Sequence, residues 1–421
     1  MYKLKRLSNG LRIVTNAMED RESIALGFWI GVGGRHEQSF EKGAAHFFEH
    51  IVFKGSRKYG CDQIKEQIEG VGGALNAFTS EEQTCFFAKI PAKHFEKTFD
   101  ILADMVFYPL ITPQDVRKER TVILEEIKMY RDQPQYFVFE ILDRLVWPNH
   151  PLGESLAGTH ETVSKLTPTK LRNFYDNFYH NENIVVACCG KVSPNRIIDV
   201  TKEKLGKIKR TGVNDFVRVE STQNSPRFAF HHKNIEQMHL ALGMLGYNEN
   251  QQDRYVLNLL SVILGGNMSS RLFVELREKR GLAYSVSCSS KSMHDTGIFF
   301  IRAGVDNQKI VKSMDVILKE LRRIKRFGVT QNEFQRAKDY LMGQLLLGLE
   351  DTMEHMLWIG ESVIAKNKTK TLREVIRDFN KISKDDIKRV AKEVISEKRF
   401  NLALVGPINE QQEKKLRSMV E

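Results

Sequence analysis

His46, Glu49 and His50 lie inside an otherwise apolar stretch, GAAHFFEHIVFKG, from Gly43 to Gly55. Burying polar groups without partners costs roughly 2–7 kcal/mol each, so these three side chains need something to satisfy them. On a helix, His46 and His50 sit one turn apart on the same face, and Glu49, three residues after His46, projects there too. Two imidazoles so placed can ligate one metal ion, and Zn²⁺ is the usual occupant. The remaining carboxylate is then placed to act on a metal-bound water. His-x-x-Glu-His is the inverted form of the zinc-protease motif.

Two histidines leave a hydrolytic zinc site one protein ligand short. The helical pattern after Thr112 offers Glu119, Glu125 and Glu126. Glu119 and Glu126 are two turns apart on one face, and Val122 and Ile123 between them are expected to turn that face inward. Glu125 lies about 100° round from Glu126 and points outward. Spacing therefore selects Glu119 or Glu126 and does not choose between them.

The elements that must position these residues come from a duplication. VSKLTPTKLRNFYDNFYHNENIVVACCGKV (163–192) and FNKISKDDIKRVAKEVISEKRFNLALVGPI (379–408) share one pattern in a constant register, with Leu166 on Ile382, Leu171 on Ile387 and Val186 on Leu402. Each has a Thr167 or Ser383 N-cap, a helix, then a strand ending in glycine. A second pair begins at Thr112 and Thr330, each with an acidic residue three positions on, Asp115 and Glu333. Strand-like runs such as IALGFWIGVG, TCFFAKI and GIFFIRAGV alternate with helical ones, and the N-terminus predicts a strand, a Ser-Asn-Gly turn and a second strand. The expected fold is α+β: two homologous domains, 1–210 and 227–421, joined by a polar linker, 211–226. Each is a mainly antiparallel sheet covered by helices on one face. In the register that sets Val186 on Leu402, the zinc helix falls on LLSVILGGNM, which has no His or Glu. In the register that sets Thr112 on Thr330, Glu126 falls on Gln344. One zinc per chain is expected, in the first domain.

The 421 residues, 41% hydrophobic and 28% charged, are ordinary for a globular chain with ample core. The net charge of +11 is spread beside acidic residues on helix faces, and no aromatic-interleaved basic motif accompanies it, so nucleic acid is not an expected partner. No run reaches the roughly 18 apolar residues of a membrane span. The N-terminal apolar stretches are too short for a secretory signal, which predicts a cytoplasmic location, or the mitochondrial matrix after removal of a transit peptide. Of the five cysteines none forms a Cys-x-x-Cys pair, and Cys188 and Cys189 sit in an apolar run that reads as core. That usage suits a reducing compartment.

With LSNGLRIV, GGRHE, GAAHFFEHIVFKGS and LREKRGLAYSV in order along nearly the whole chain, the sequence resembles the pitrilysin/insulinase family of zinc peptidases, in particular two-domain subunits akin to mitochondrial processing peptidase. In that family the third ligand is a distant glutamate at a set spacing beyond the second histidine, and here that spacing falls on Glu126. The resemblance thus implies His46, His50 and Glu126 as zinc ligands. It makes Glu49 the general base and Glu119 a supporting acid. It implies that GGALNAFTS is an active-site edge strand, where Asn76 and the Ala77 backbone hold a peptide substrate added as a further strand. It implies that Arg277 and Tyr284 contact substrate beside the zinc, contributed across a homodimer, or a heterodimer with a homologous subunit, that closes round a chamber. Family members also serve as non-catalytic scaffolds. Those degrade the motif, whereas every zinc and base position is intact here.

Overall fold

A computed structural model describes residues 2–213 and 215–420. The chain forms two compact units, each assembled from separated pieces. The first comprises the chain up to Ile127, Ser155–Val217 and Leu345–Glu374. The second comprises Lys128–Glu154, Arg218–Gln344 and the chain from Val375 onward.

The first unit is built on a six-stranded sheet: β1 (Lys3–Arg6), β2 (Arg12–Ala17), β3 (Ser23–Ile30), β4 (Ala74–Thr79), β5 (Thr84–Pro91) and β6 (Ile184–Gly190), in the order β1-β2-β6-β3-β5-β4. All pairs are antiparallel except β2 with β6. The second unit carries β7 (Arg227–His232), β8 (Gln237–Leu245), β9 (Ala283–Ser292), β10 (Gly297–Asp306) and β11 (Asn401–Gly406), in the order β7-β11-β8-β10-β9, again with a single parallel pair, β7 with β11. Apart from β1, one order reproduces the other, as the internal repeat predicts. The repeated helix starts are capped as read from sequence. Thr167 and Ser383 accept from Lys170 and Asp386 amides, and Thr112 and Thr330 accept from Asp115 and Glu333 amides.

The expectation of helices on one face only needs correction. In the first unit, Ile13, Leu26, Phe28, Phe86 and Val186 face a core shared with the helices Ala44–Val52, Phe95–Phe107 and Pro168–Phe178. Alternate residues Val14, Ala25, Trp29, Val185 and Ala187 face Met356, Ile359 and Val363 of the helix Thr352–Lys366. The strand IVVACCG is apolar at both parities, and its every residue is buried, Cys188 and Cys189 included. A strand of that composition needs cover on both sides. In the second unit the helix Pro134–Val146 plays the same part, packing Val138, Leu142 and Val146 on Ala241, Ala403 and Val405. These two covering helices start at matching points of the repeat, Pro134 and Thr352, in the register that sets Thr112 on Thr330. Each belongs to the unit built mainly from the other half of the sequence. No helix among the described residues is long and apolar enough to cross a membrane.

Candidate metal centre

The helix Ala44–Val52 buries Ala44, Ala45, Phe47, Phe48, Ile51 and Val52, and this packing leaves His46, Glu49 and His50 together on its remaining face. Their counterpart is the helix Pro113–Asp132. Its buried stripe is Val116, Glu119, Ile123 and Ile127. Val122 departs from expectation at 49% exposed, because one residue before Ile123 is a rotation of about 100° off that stripe. Glu125 is exposed, and Glu126 is at the edge of the stripe.

His46, His50 and Glu126 each offer one donor atom, and these atoms lie within 4.8 Å of one another. Glu126 Oε2 is 3.7 Å from His46 Nε2 and 3.4 Å from His50 Nε2. Ligands about 2.0–2.1 Å from a tetrahedral zinc ion lie roughly 3.3 Å apart, so the set is near coordination geometry. Among the described residues no other group of three such side chains meets this condition. His50 Nδ1 lies 3.1 Å from Glu119 Oε2. A carboxylate only accepts, so Nδ1 carries a proton toward Glu119, and Nε2 is the nitrogen turned toward Glu126, where its proton can give way to a metal. Lys54 Nζ sits 2.6 Å from Glu119 Oε1, neutralising a carboxylate that is only 5% exposed. Burial, followed by the neighbouring His50, pushes the His46 pKa down to about 4, keeping that imidazole neutral and able to donate. For His50 burial pulls downward, but hydrogen bonding to Glu126 and Glu119 outweighs it and raises the pKa. The two choices that spacing left open thus face different nitrogens of one ring: Glu126 faces Nε2, on the side of His46, and Glu119 faces Nδ1. The residues present fit a zinc ion.

Glu49 stands apart from this donor set. The Thr79 hydroxyl donates to its Oε2 at 2.6 Å. Burial raises its pKa, against the lowering effect of that hydrogen bond. A carboxyl group tuned upward is suited to accepting a proton near neutral pH. Thr79 ends β4, which is the terminal strand of its sheet. Asn76 is exposed on this edge, and its Oδ1 accepts from the Ala77 amide at 2.8 Å. Sequence reasoning missed Thr79, Lys54 and a third residue, the fully buried Glu37, whose carboxylate accepts from the Gly43 and Ala45 amides at the start of the metal helix.

Arg277 and Tyr284 belong to the second unit. The Arg277 guanidinium carbon lies 5.6 Å from the centre of the Tyr284 ring, and Tyr284 is 73% exposed. The structure therefore groups His46, Glu49, His50, Glu119 and Glu126 in one unit and pairs Arg277 with Tyr284 in the other.

The insulinase (peptidase family M16) model matches residues 12–160, and the peptidase M16 inactive-domain model matches residues 165–341. The chain is 35% identical over 412 residues to the uncharacterized zinc protease YmxG of Bacillus subtilis, covering 97% of this chain and 98% of that one. It is 34% identical over 420 residues to an uncharacterized zinc protease of Streptomyces coelicolor, covering 98% and 91%. A crystal structure of a protease from Helicobacter pylori superposes with a TM-score of 0.92 at 23% identity, over 97% of this chain and 99% of that one, a likeness of fold. A metal-type donor set on an inverted zinc-protease helix, a duplicated α+β fold and full-length similarity to these relatives agree: the chain belongs to the insulinase family of peptidases, family M16.

Proposed function

We propose that this protein is a zinc-dependent endopeptidase acting on extended or unfolded peptides, with one zinc ion per chain held by His46, His50 and Glu126. The observation that supports it best is the convergence of those three donors beside a further carboxylate, Glu49, that is held by Thr79. Bound there, zinc supplies a Lewis acid for the peptide carbonyl and acidifies water. Glu49 takes the proton from the attacking water and delivers it to the leaving amine. Thr79 holds one carboxylate oxygen, leaving the other to handle that proton. Glu119 keeps His50 in the tautomer that donates through Nε2.

The open edge of β4 takes the substrate as an added strand, with Asn76 and the Ala77 backbone holding it. Strand addition requires unpaired peptide backbone, which restricts substrates to extended chains. Arg277 and Tyr284 hold the substrate backbone or stabilise the developing oxyanion. They reach the metal centre of a partner copy in a homodimer that encloses a chamber.

Metal analysis combined with cleavage of a quenched fluorescent peptide tests the core of this reading. One zinc per chain and cleavage abolished by a chelator are expected. A zinc-loaded protein that leaves extended peptides intact would overturn the enzyme in favour of a scaffold. Complementation tests the shared site: a mixed dimer of Glu49→Gln and Arg277→Ala chains should regain about half the wild-type activity. If the mixed dimer is no better than its parents, each chain uses its own Arg277.

A further inference from the structure

The segment Gly33–Lys42 touches both the metal helix and the substrate edge. At one end, the Gly34 amide donates to Ser80 O at 3.2 Å and the Arg35 amide to Glu81 O at 2.8 Å. Arg35, itself 1% exposed, adds a contact of 2.6 Å from Nη1 to the Glu82 carboxylate. Ser80–Gln83 is the turn that joins β4 to β5, and it starts immediately after Thr79. The approach is so close that a Cβ on Gly33 would lie 2.0 Å from Ser80 O.

At the other end stands Glu37. Its Oε2 accepts from the Gly43 amide at 3.0 Å and its Oε1 from the Ala45 amide at 2.7 Å. The first turn of a helix leaves its amides without partners, and Gly43 has no side chain with which to cap them. Lys42 Nζ lies 3.9 Å from Oε2 and donates to Gly34 O at 2.8 Å, which ties the charge pair back to the same segment. A wholly buried carboxylate is tolerable only with such partners.

We infer that Glu37 is a positioning residue for the metal centre: it pins the first turn of the helix Ala44–Val52 to the segment that is bonded to the β4–β5 turn, and so sets the separation between the edge strand and the row His46, Glu49, His50. This rests on the zinc-peptidase reading above. A carboxylate fits the task because each oxygen meets one amide. An amide side chain presents an NH₂ to one of them and repels it.

The test uses Glu37→Gln in the full chain. Zinc affinity is measured by competition with a chromogenic chelator, amide exchange is followed at residues 43–47, and kcat and KM are determined separately at saturating zinc. Supports behind metal ligands typically contribute about 10–100-fold, so zinc should bind about 10-fold more weakly or worse. Exchange at Gly43 and Ala45 should accelerate, and kcat should fall with little change in KM. Gly33→Ala acts at the other end, pushing the turn away. It should raise KM and leave zinc affinity at the wild-type value.

A folded Glu37→Gln chain with wild-type zinc affinity, exchange and kcat would overturn the inference. If that variant does not fold, the wild-type protein decides: Gly43 and Ala45 amides exchanging as slowly as the helix interior support the anchor, and exchange at the rate of an open terminus refutes it. Should the wild-type cleave no peptide, the functional reading fails, while zinc affinity and exchange still decide the role of Glu37.

Discussion

Apart from β1 the two units share a strand order, and they differ in the gap between the helix and the edge strand. Register sets the equivalence. Ala77 pairs with Phe86, Phe86 with Phe28 and Phe28 with Val186, while Cys288 pairs with Ile301, Ile301 with Leu242 and Leu242 with Leu402. Val186 and Leu402 are matched in the sequence repeat, so the edge strands β4 and β9 correspond with Ala77 at Cys288 and Thr79 at Ser290. In the first unit Glu49 reaches across from the metal helix to Thr79. In the second, the register that matches Val186 with Leu402 gives Val262, Gly265 and Gly266 for His46, Glu49 and His50, in a π-helical turn over Val262–Gly266. A Cβ on Gly265 would lie 2.5 Å from Cys288 N. The helix-to-strand space that holds a carboxylate in one unit is closed by backbone in the other. The gap and the candidate ligands thus occur together in the first unit, and neither is found at the matching place in the second.

The sharpest way to break that comparison is at Glu49. Glu49→Gln should retain zinc, yet lose about 10²–10⁴-fold in kcat, since it removes only the proposed proton acceptor. Glu126→Ala should lose zinc as well. If Glu49→Gln empties the site while Glu126→Ala leaves it full, the roles are reversed.

Grafting the ligands into the second unit sharpens it further. Val262→His, Gly265→Glu, Gly266→His and Gln344→Glu together should still give one zinc per chain. Overpacking against Cys288 should cost about 1–3 kcal/mol or more in denaturant unfolding. A second zinc in this variant would show that ligands suffice without the gap.

A smaller effect is expected at Glu119. Glu119→Gln keeps the shape and removes the charge shared with Lys54 and His50, and should cost about 10–100-fold in zinc affinity or activity. Wild-type values in both would leave Glu119 without a part in the centre. The smallest effect belongs to what the units retain in common. Thr112→Ala and Thr330→Ala each delete a cap on corresponding helices and should each cost about 1 kcal/mol. A cost confined to one of them, measured by chemical denaturation, would break the equivalence of the two helices.

His-x-x-Glu-His was legible because its geometry is local: helical periodicity alone puts three side chains on one face, and the apolar residues between them decide which way the rest turns. The caps at Thr112, Thr167, Thr330 and Ser383 were legible for the same reason, since each is satisfied within three residues. The internal repeat also needed only the sequence, and with it the lack of His or Glu where the second half matches the zinc helix and Glu126. Glu119 and Glu126 show where this ends. They share a face, and only the docking of Pro113–Asp132 against the metal helix gives one the Nδ1 side of His50 and the other the Nε2 side. Glu37 was illegible because its partners are backbone amides, which leave no mark in residue types. The covering helices Pro134–Val146 and Thr352–Lys366 were not anticipated from sequence, and periodicity would in any case state only that a face is buried. Which sheet it covers is decided by shape and by the apolar area that each sheet leaves open, and that is settled only when distant parts of the chain meet.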